Sequence, residues 1–341
     1  MPNRTPGQTK DLSAQVTTRR PAAIRAENTM RRFLVRRFIL AILTVVAATA
    51  AVFFLSRASG DPILLYAKPG GYGFSPEQEA ALRKKIGIDK PVAVQYALWL
   101  GRAMRGDLGE TILDEKPVSR VITQKMGATI QLSIVAWLMA TLIGVPLGVL
   151  SAVRRGSTFD YIGRAFALFG QAIPAFWLGI VLILIVSVRL GWFPVATRGE
   201  GSWDLRYMFL PAITLAWGAM AGYLRLTRTA MLEVLDSEFV KLARAKGVSN
   251  RLIIWKHAFR NALIQPLTAS TLILTGFLTG SVVVESIFAW PGMGQMAIKA
   301  VFDNDFPILQ GVVLMFTILY VAMIFLTDVA YAVIDPRIRY D

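Results

Sequence analysis

From Phe38 to Leu55 the chain runs eighteen residues without a charge, a length of about 27 Å as helix. Five more uncharged runs follow, at Ala128–Val153, Ala165–Val188, Tyr207–Leu224, Asn261–Val284 and Phe306–Thr327. Each matches the roughly 30 Å hydrocarbon core of a bilayer, so the pattern predicts six transmembrane helices in an all-α integral membrane protein. A cleavable signal peptide is the competing reading of the first run. That run exceeds the roughly 7–15 apolar residues of a signal sequence, and Ala58-Ser59-Gly60 is a poor cleavage site, so a retained span is expected. Pro146, Pro174 and Pro211 fall inside spans, where a missing N–H and a ring clash predict kinks. Gly144/Gly148, Gly218/Gly222 and Gly276/Gly280 place small residues one turn apart, a spacing that permits close helix contact.

The segments between these runs are polar. Residues 1–29 lack apolar periodicity and read as a disordered tail, followed by a basic lead-in from Met30 to Arg37. Between Arg57 and Gly127 the chain is mixed in charge and carries a flexible turn at Lys68-Pro69-Gly70-Gly71. Short helices are expected there at Pro76–Ile86 and Val92–Met104, the second with Val94, Leu98 and Trp99 on an apolar face.

A composition of 55% hydrophobic and 17% charged residues over 341 positions, with mean hydropathy +0.51, excludes an ordinary soluble domain. The formal charge of +15 raises the question of nucleic acid. The cations, however, sit in the tail and in loops beside apolar spans, with no aromatic-interleaved basic patch, so membrane topology accounts for them instead. Arg154, Arg155 and Arg164 follow the second span, and a long cationic loop follows the fourth. The other short loops are balanced, with Arg189, Arg198 and Arg206 against Glu200 and Asp204, and Lys299 against Asp303 and Asp305. This asymmetry predicts that both termini are cytoplasmic.

The chemistry of catalysis is sparse. There is no cysteine and a single histidine, His257, which makes a protein-only zinc site improbable. No G-x-x-x-x-G-K-[ST] is present to cradle nucleotide phosphates, and Gly70, Gly71 and Gly73 lack its lysine. No nucleophile–base set stands out, so the chain is not expected to be an enzyme. Glu285 and Asp328 lie at span ends and read as interface residues, which leaves no mid-span charge for an ion-coupled carrier.

The cationic loop, Glu233 to Thr268, has the strongest pattern. Arg225, Arg228, Lys241, Arg244, Lys246, Arg251, Lys256 and Arg260 outnumber Glu233, Asp236 and Glu238. Good helix formers lead to Gly247, after which Ser249 or Asn250 can cap a new helix: helix, glycine stop, helix. On a 100° wheel Leu252, Ile254, Trp255, Ala258, Phe259, Ala262 and Leu263 fall on one half of the second helix, opposite Lys256, His257, Arg260 and Asn261. Arg251 and Ile253 break that wheel. A loop of this kind lies along a membrane, meets a partner protein, or serves only to fix topology.

Several stretches carry a resemblance. Ala243–Gly247 reads ARAKG and His257–Leu263 reads HAFRNAL, while Lys241, Leu242 and Ala243 stand where a related loop has Glu-Ala-Ala. Arg57–Pro62 (RASGDP), Gly106–Glu110 (GDLGE), Gly170–Gly179 (GQAIPAFWLG), Val284–Gly294 (VESIFAWPGMG) and Ile334–Tyr340 (IDPRIRY) accompany them in order. Over about residues 30–341 the chain resembles permease subunits of type I ATP-binding-cassette importers, in the peptide and nickel branch. Pro266 sits one residue later than in that pattern.

The resemblance implies a type I permease fold. Residues 30–124 would hold the first span and an extracytoplasmic segment, residues 125–334 a core five-span unit, and residues 335–341 a cytoplasmic end. It also implies a bacterial inner-membrane complex with a second permease, two cytoplasmic ATPases and an extracytoplasmic binding protein. ATP would bind the partners, and no cofactor or metal is expected here. The loop docking on an ATPase would be Glu238, Lys241, Ala243, Arg244, Ala245, Lys246, Gly247, Val248, Ser249 and Asn250. Within it Gly247 would hold φ > 0, with Ala243 on the same face entering the partner's cleft. Gln171, Pro174, Phe176 and Trp177 are candidates for lining the route. The cargo implied is a di- or oligopeptide, with nickel, opines and oligosaccharides as alternatives within the branch. An ion-coupled carrier and a scaffold without transport are the alternatives outside it. Because the resemblance begins near Met30, residues 2–29 are expected to be dispensable, with Met1 and Met30 both open as the start.

Overall fold

The computed structural model describes residues 22–58, scattered positions between 77 and 84, and residues 88–112, 114–195 and 203–334. The glycine turn at 70–73, most of the expected helix Pro76–Ile86 and the IDPRIRY motif beyond Ile334 lie outside the described residues. Among the fully described segments the helices are, in order, α1 Ala22–Ala58, α2 Val92–Ala103, α3 Val118–Val153, α4 Thr158–Ala172, α5 Ala175–Arg189, α6 Leu205–Leu235, α7 Glu238–Ala245, α8 Asn250–Ala262, α9 Ile264–Gly280, α10 Val282–Ile287, α11 Met293–Phe302 and α12 Phe306–Ile334. Ile183–Arg189 in α5 and Ile253–Phe259 in α8 are π-helical. Because α1 begins at Ala22, residues 22–29 extend the first helix, where composition had suggested a disordered tail.

Val35–Ala58, α3, α6 and α12 are each long and apolar enough to cross a membrane alone. Two bent pairs, α4 with α5 at 103° and α8 with α9 at 48°, pass the same test jointly, which gives up to six crossings if each pair is one span. Pro174 therefore breaks its span rather than kinking it. Pro146 and Pro211 sit inside continuous helices.

Contacts fix the directions. A Cβ on Gly144 would lie 2.7 Å from the Met220 carbonyl oxygen, and one on Gly148 2.7 Å from that of Leu224. Two backbones touch through these glycines, and the pairing advances in the same sense on both helices, so α3 and α6 are parallel. Ala128, Leu132, Ala136 and Ala140, all fully buried, continue that seam against Ala212 and Ala216. Parallel neighbours need a return between them. The α4–α5 pair supplies it, passing from the Asp160–Arg228 contact (2.6 Å) to the stacked Phe193–Phe209 rings (4.8 Å).

α9 runs opposite to α3, with the Trp137 indole donating to Ser270 Oγ (2.7 Å) and Thr129 Oγ1 to Glu285 (2.7 Å). The start of α12 packs Gly311 on Val118 and Ile122, and Gln310 donates to Ser56 Oγ (3.3 Å) near the end of α1. It follows that the start of α1, residues 154–157, residues 236–249 and the end of α12 share one face of the bundle, here termed basal. Arg155 and Asp236, 3.4 Å apart, join two of these segments directly.

α6 is the central element, with 56% of its apolar window buried, against 11% for α1. The expected face of α2 is corrected. Gln95 and Trp99 are its buried residues, while Val94 and Leu98 are exposed. The helix lies on α1 through Phe53, Tyr96 and Trp99, and the Tyr96 hydroxyl donates to Val46 O (3.0 Å).

Candidate functional site

The basal turn is built from the end of α6 outwards. Asp236 and Ser237 carry the chain into α7, whose Val240 is fully buried among Val149, Ala152, Ala230, Met231, Leu235, Ile253 and Ala258. At the other end of α7 the Gly247 N–H donates to Arg244 O (2.9 Å) and the Val248 N–H to Ala243 O (3.1 Å). Those two bonds form a Schellman closure, and it requires the left-handed φ of +77° that Gly247 adopts. Ser249 then sits at the start of α8 without a side-chain capping bond.

Two expectations change here. Ala243 and Val248 pack against the protein's own apolar cluster, so Ala243 does not share an outward face with Gly247. The wheel drawn for α8 holds for Ile254, Ala258, Phe259 and Ala262 but not for Leu252 and Trp255, because a π-helical stretch takes more than four residues per turn. Ile253 and Ala258, five apart, are both buried, while Leu252 and Trp255 are exposed. The outward surface thus combines apolar Phe239, Leu242, Leu252 and Trp255 with Lys241, Arg244, Ala245, Lys246, Ser249 and Asn250. Glu238 is also exposed and pairs with Lys241 at 2.8 Å.

Among the described residues three carboxylates are buried, Asp160, Glu285 and Asp305, and the sequence pattern marked none of them as buried. Asp160, 1% exposed, accepts from Arg228 Nε and Nη2 (2.6 and 2.9 Å), Ser151 Oγ (2.6 Å) and the Gly156 N–H (3.0 Å). The available signal was Ser157-x-x-Asp160, a capping pattern, and the Ser157 hydroxyl does accept the Asp160 N–H (3.3 Å).

Glu285 is not an interface residue. It is fully buried and accepts from Thr129 Oγ1 (2.7 Å), Ser281 Oγ (2.9 Å) and the Gly294 and Gln295 N–H groups (2.7 and 3.1 Å). A side chain at Gly292 or Gly294 would overlap that carboxylate, which accounts for the Pro-Gly-Met-Gly sequence after Trp290. The Trp290 indole donates to Ala128 O (2.9 Å), binding the same loop to α3. A cavity of about 780 Å³ opens beside this loop, lined in part by Lys125, Gln295, Lys299 and Asp303. It lies at the end of α3 opposite the basal turn.

Gln171, Pro174, Phe176 and Trp177 gather at the α4–α5 elbow, and all four are exposed. Gly222 lies against Gln171: a Cβ there would be 3.1 Å from its Nε2. That level is the middle of α6, far along the bundle from the basal turn.

Residues 144–340 match the family described as the binding-protein-dependent transport system inner membrane component. The chain belongs to that family. Residues 30–133 match the N-terminal part of such components. The permease is 38% identical over 318 residues to a Brucella abortus chain assigned to a peptide transport system, covering 92% of this chain and 100% of that one. It is 37% identical to the oligopeptide transport system permease AppB of Bacillus subtilis, covering 91% and 100%. To the dipeptide transport system permease DppB of Escherichia coli K12 it is 36% identical, covering 91% and 99%.

Among solved structures, the inward-facing MetNI methionine ABC transporter superposes with a TM-score of 0.52 at 21% identity, over 63% of this chain and 96% of that one. An amino acid ABC transporter gives a TM-score of 0.50 at 14% identity, over 62% and 92%. These likenesses show the fold. The permease is thus an all-α, multi-pass membrane subunit of a type I ABC importer, and its family is one of transport rather than catalysis.

Proposed function

We propose that this permease forms half of a translocation pathway for di- or oligopeptides. An extracytoplasmic binding protein would deliver the peptide, and two cytoplasmic ATPases would drive transport. The peptide assignment rests on what the named relatives carry, at 36–38% identity over nearly the whole chain. The basal face is the cytoplasmic one in this reading, because Arg154, Arg155, Lys241, Arg244, Lys246 and Arg251 crowd it.

The observation that carries the coupling role is the turn itself. α7 and α8 hold Phe239, Leu242, Leu252 and Trp255 exposed at the end of the bundle, beyond a buried Val240 anchor. Apolar side chains ringed by cations at the solvent end of a membrane protein are a surface made for a partner. The elbow supports a pathway role in a similar way. A helix break halfway along a span leaves backbone groups without helical partners, which is tolerated only against protein or water. Gln171, exposed beside that break, therefore faces the second permease or an aqueous route.

The test is reconstitution in proteoliposomes of this permease with a second permease, ATPases and a binding protein of the same importer family. ATP-dependent uptake of labelled dipeptides, displaced by unlabelled peptides, is expected. Uptake of nickel or an oligosaccharide with no peptide competition would overturn the cargo assignment while leaving the importer reading intact.

A further inference from the structure

We infer that the Asp160–Arg228 pair is a strut that carries movement of the basal turn to the α4–α5 elbow. The inference rests on the coupling role given to that turn above. Arg228 lies on the last turns of α6, and no break separates it from Leu235 and the entry to α7. Asp160 lies in the first turn of α4, which is continuous up to the break at Ile173 and Pro174. The pair thus joins two rigid rods, one ending at the turn and the other at the elbow.

The geometry of the pair suits force transmission better than simple burial. Arg228 grips both carboxylate oxygens, with Nε to one at 2.6 Å and Nη2 to the other at 2.9 Å, and a two-point fork resists rotation as well as separation. Ser151 and the Gly156 N–H fill the remaining acceptor positions, and Arg164 Nε stands 3.9 Å away. The rest of the α4–α6 contact is smooth. Gly163 lies between Ser151 and Leu224, Gly170 faces Ala221, Gly222 lies under the Gln171 side chain, and the Phe166 and Trp217 rings meet edge-on at 5.0 Å. Small and apolar surfaces hold helices together by contact but set their register weakly. The fork is therefore the place where α4 is forced to follow α6. Asp160 and Arg228 touch no solute in this scheme; they are positioning residues.

The test uses the whole complex in lipid nanodiscs. Because this chain has no native cysteine, labels can be placed on it singly or in pairs. Spin-label pairs at Thr123→Cys with Ser249→Cys report the turn, and Thr123→Cys with Gln171→Cys report the elbow. Distances are compared without nucleotide and after trapping with ATP and vanadate. Arg228→Lys keeps the charge and removes the fork, while Asp160→Asn removes the charge.

In both variants the Ser249 distance should still change on trapping and the Gln171 change should be lost. ATP hydrolysed per peptide moved should rise about fivefold or more, the lower range for loss of a coupling contact. An elbow that moves normally in Arg228→Lys overturns the strut. Failure of both variants to insert overturns it too, since the pair would then be a folding anchor. A Ser249 distance that never changes in the unsubstituted complex instead removes the coupling role of the turn, and the strut with it.

Discussion

Replacing Gly247 gives a graded test, because within the chain only backbone strain opposes a side chain there. Its φ is +77°, and a Cβ built on it meets nothing within 4 Å. Crowding within the chain is thus absent, and a substitution strains the turn through the backbone. Left-handed backbone costs an ordinary L-residue about 1–2 kcal/mol, and costs asparagine less. A β-branched side chain sits at the unfavourable end of that range. Since 1–2 kcal/mol corresponds to roughly 5–30-fold in population, the closed turn should be depleted in the order Gly247→Asn, Gly247→Ala, Gly247→Val. What is lost is the pair of bonds from the Gly247 and Val248 N–H groups, which fixes where α8 starts. Val240 and its cluster remain, so insertion should be unaffected. The assay is ATP-driven peptide uptake in proteoliposomes at matched permease content. Near-normal uptake is expected for Gly247→Asn, a several-fold loss for Gly247→Ala and a loss of tenfold or more for Gly247→Val. Equal uptake by Gly247→Asn and Gly247→Val would refute the argument, since it would mean that φ at this position does not control the turn.

Glu285→Ala removes the acceptor of the Gly294 and Gln295 N–H groups and should cost about 1–3 kcal/mol for each backbone N–H left unpaired. The thermal denaturation midpoint of the purified permease should fall, and an unchanged midpoint would mean that the carboxylate does not hold the Trp290 loop. Gly148→Leu should prevent stable insertion, because even its Cβ would sit 2.7 Å from Leu224 O and from Thr227 Cβ. Gly276→Leu, with open space around it, should accumulate normally in the membrane, and equal losses for the two variants would remove the parallel α3–α6 seam as their cause.

The bundle was legible because membrane spans announce themselves locally. Each uncharged run became a helix or a bent pair, and Gly247 after Ala243-Arg244-Ala245-Lys246 marked its own turn. What stayed hidden depends on partners far away in the chain. Asp160 is neutralised by Arg228, sixty-eight positions later, and no periodicity connects them. Glu285 is held partly by backbone N–H groups, which have no side-chain signature, so its place at the end of an apolar run suggested an interface. α3 starts at Val118, ten residues before its uncharged run, because Arg120 and Lys125 lie on the helix outside the apolar stretch. The wheel for α8 assumed 3.6 residues per turn, and the π-helical stretch from Ile253 to Phe259 puts Ile253 inside and Trp255 outside, while Ala262 and Arg260 fall as expected. Pro174 signalled a bend, but its size of 103° follows from where Gly170 seats on Ala221 and Gly179 on Phe288.

The central claim is that the α7–α8 turn meets the ATPase. A benzophenone attached to Leu242→Cys in the assembled complex tests it directly, with Trp192→Cys on the opposite face as the comparison, both residues being exposed. After illumination, the account predicts a covalent adduct with the ATPase from Leu242→Cys, with peptide uptake blocked in proportion, and none from Trp192→Cys. An adduct from Trp192→Cys and none from Leu242→Cys would contradict both the docking surface and the orientation assigned to the basal face.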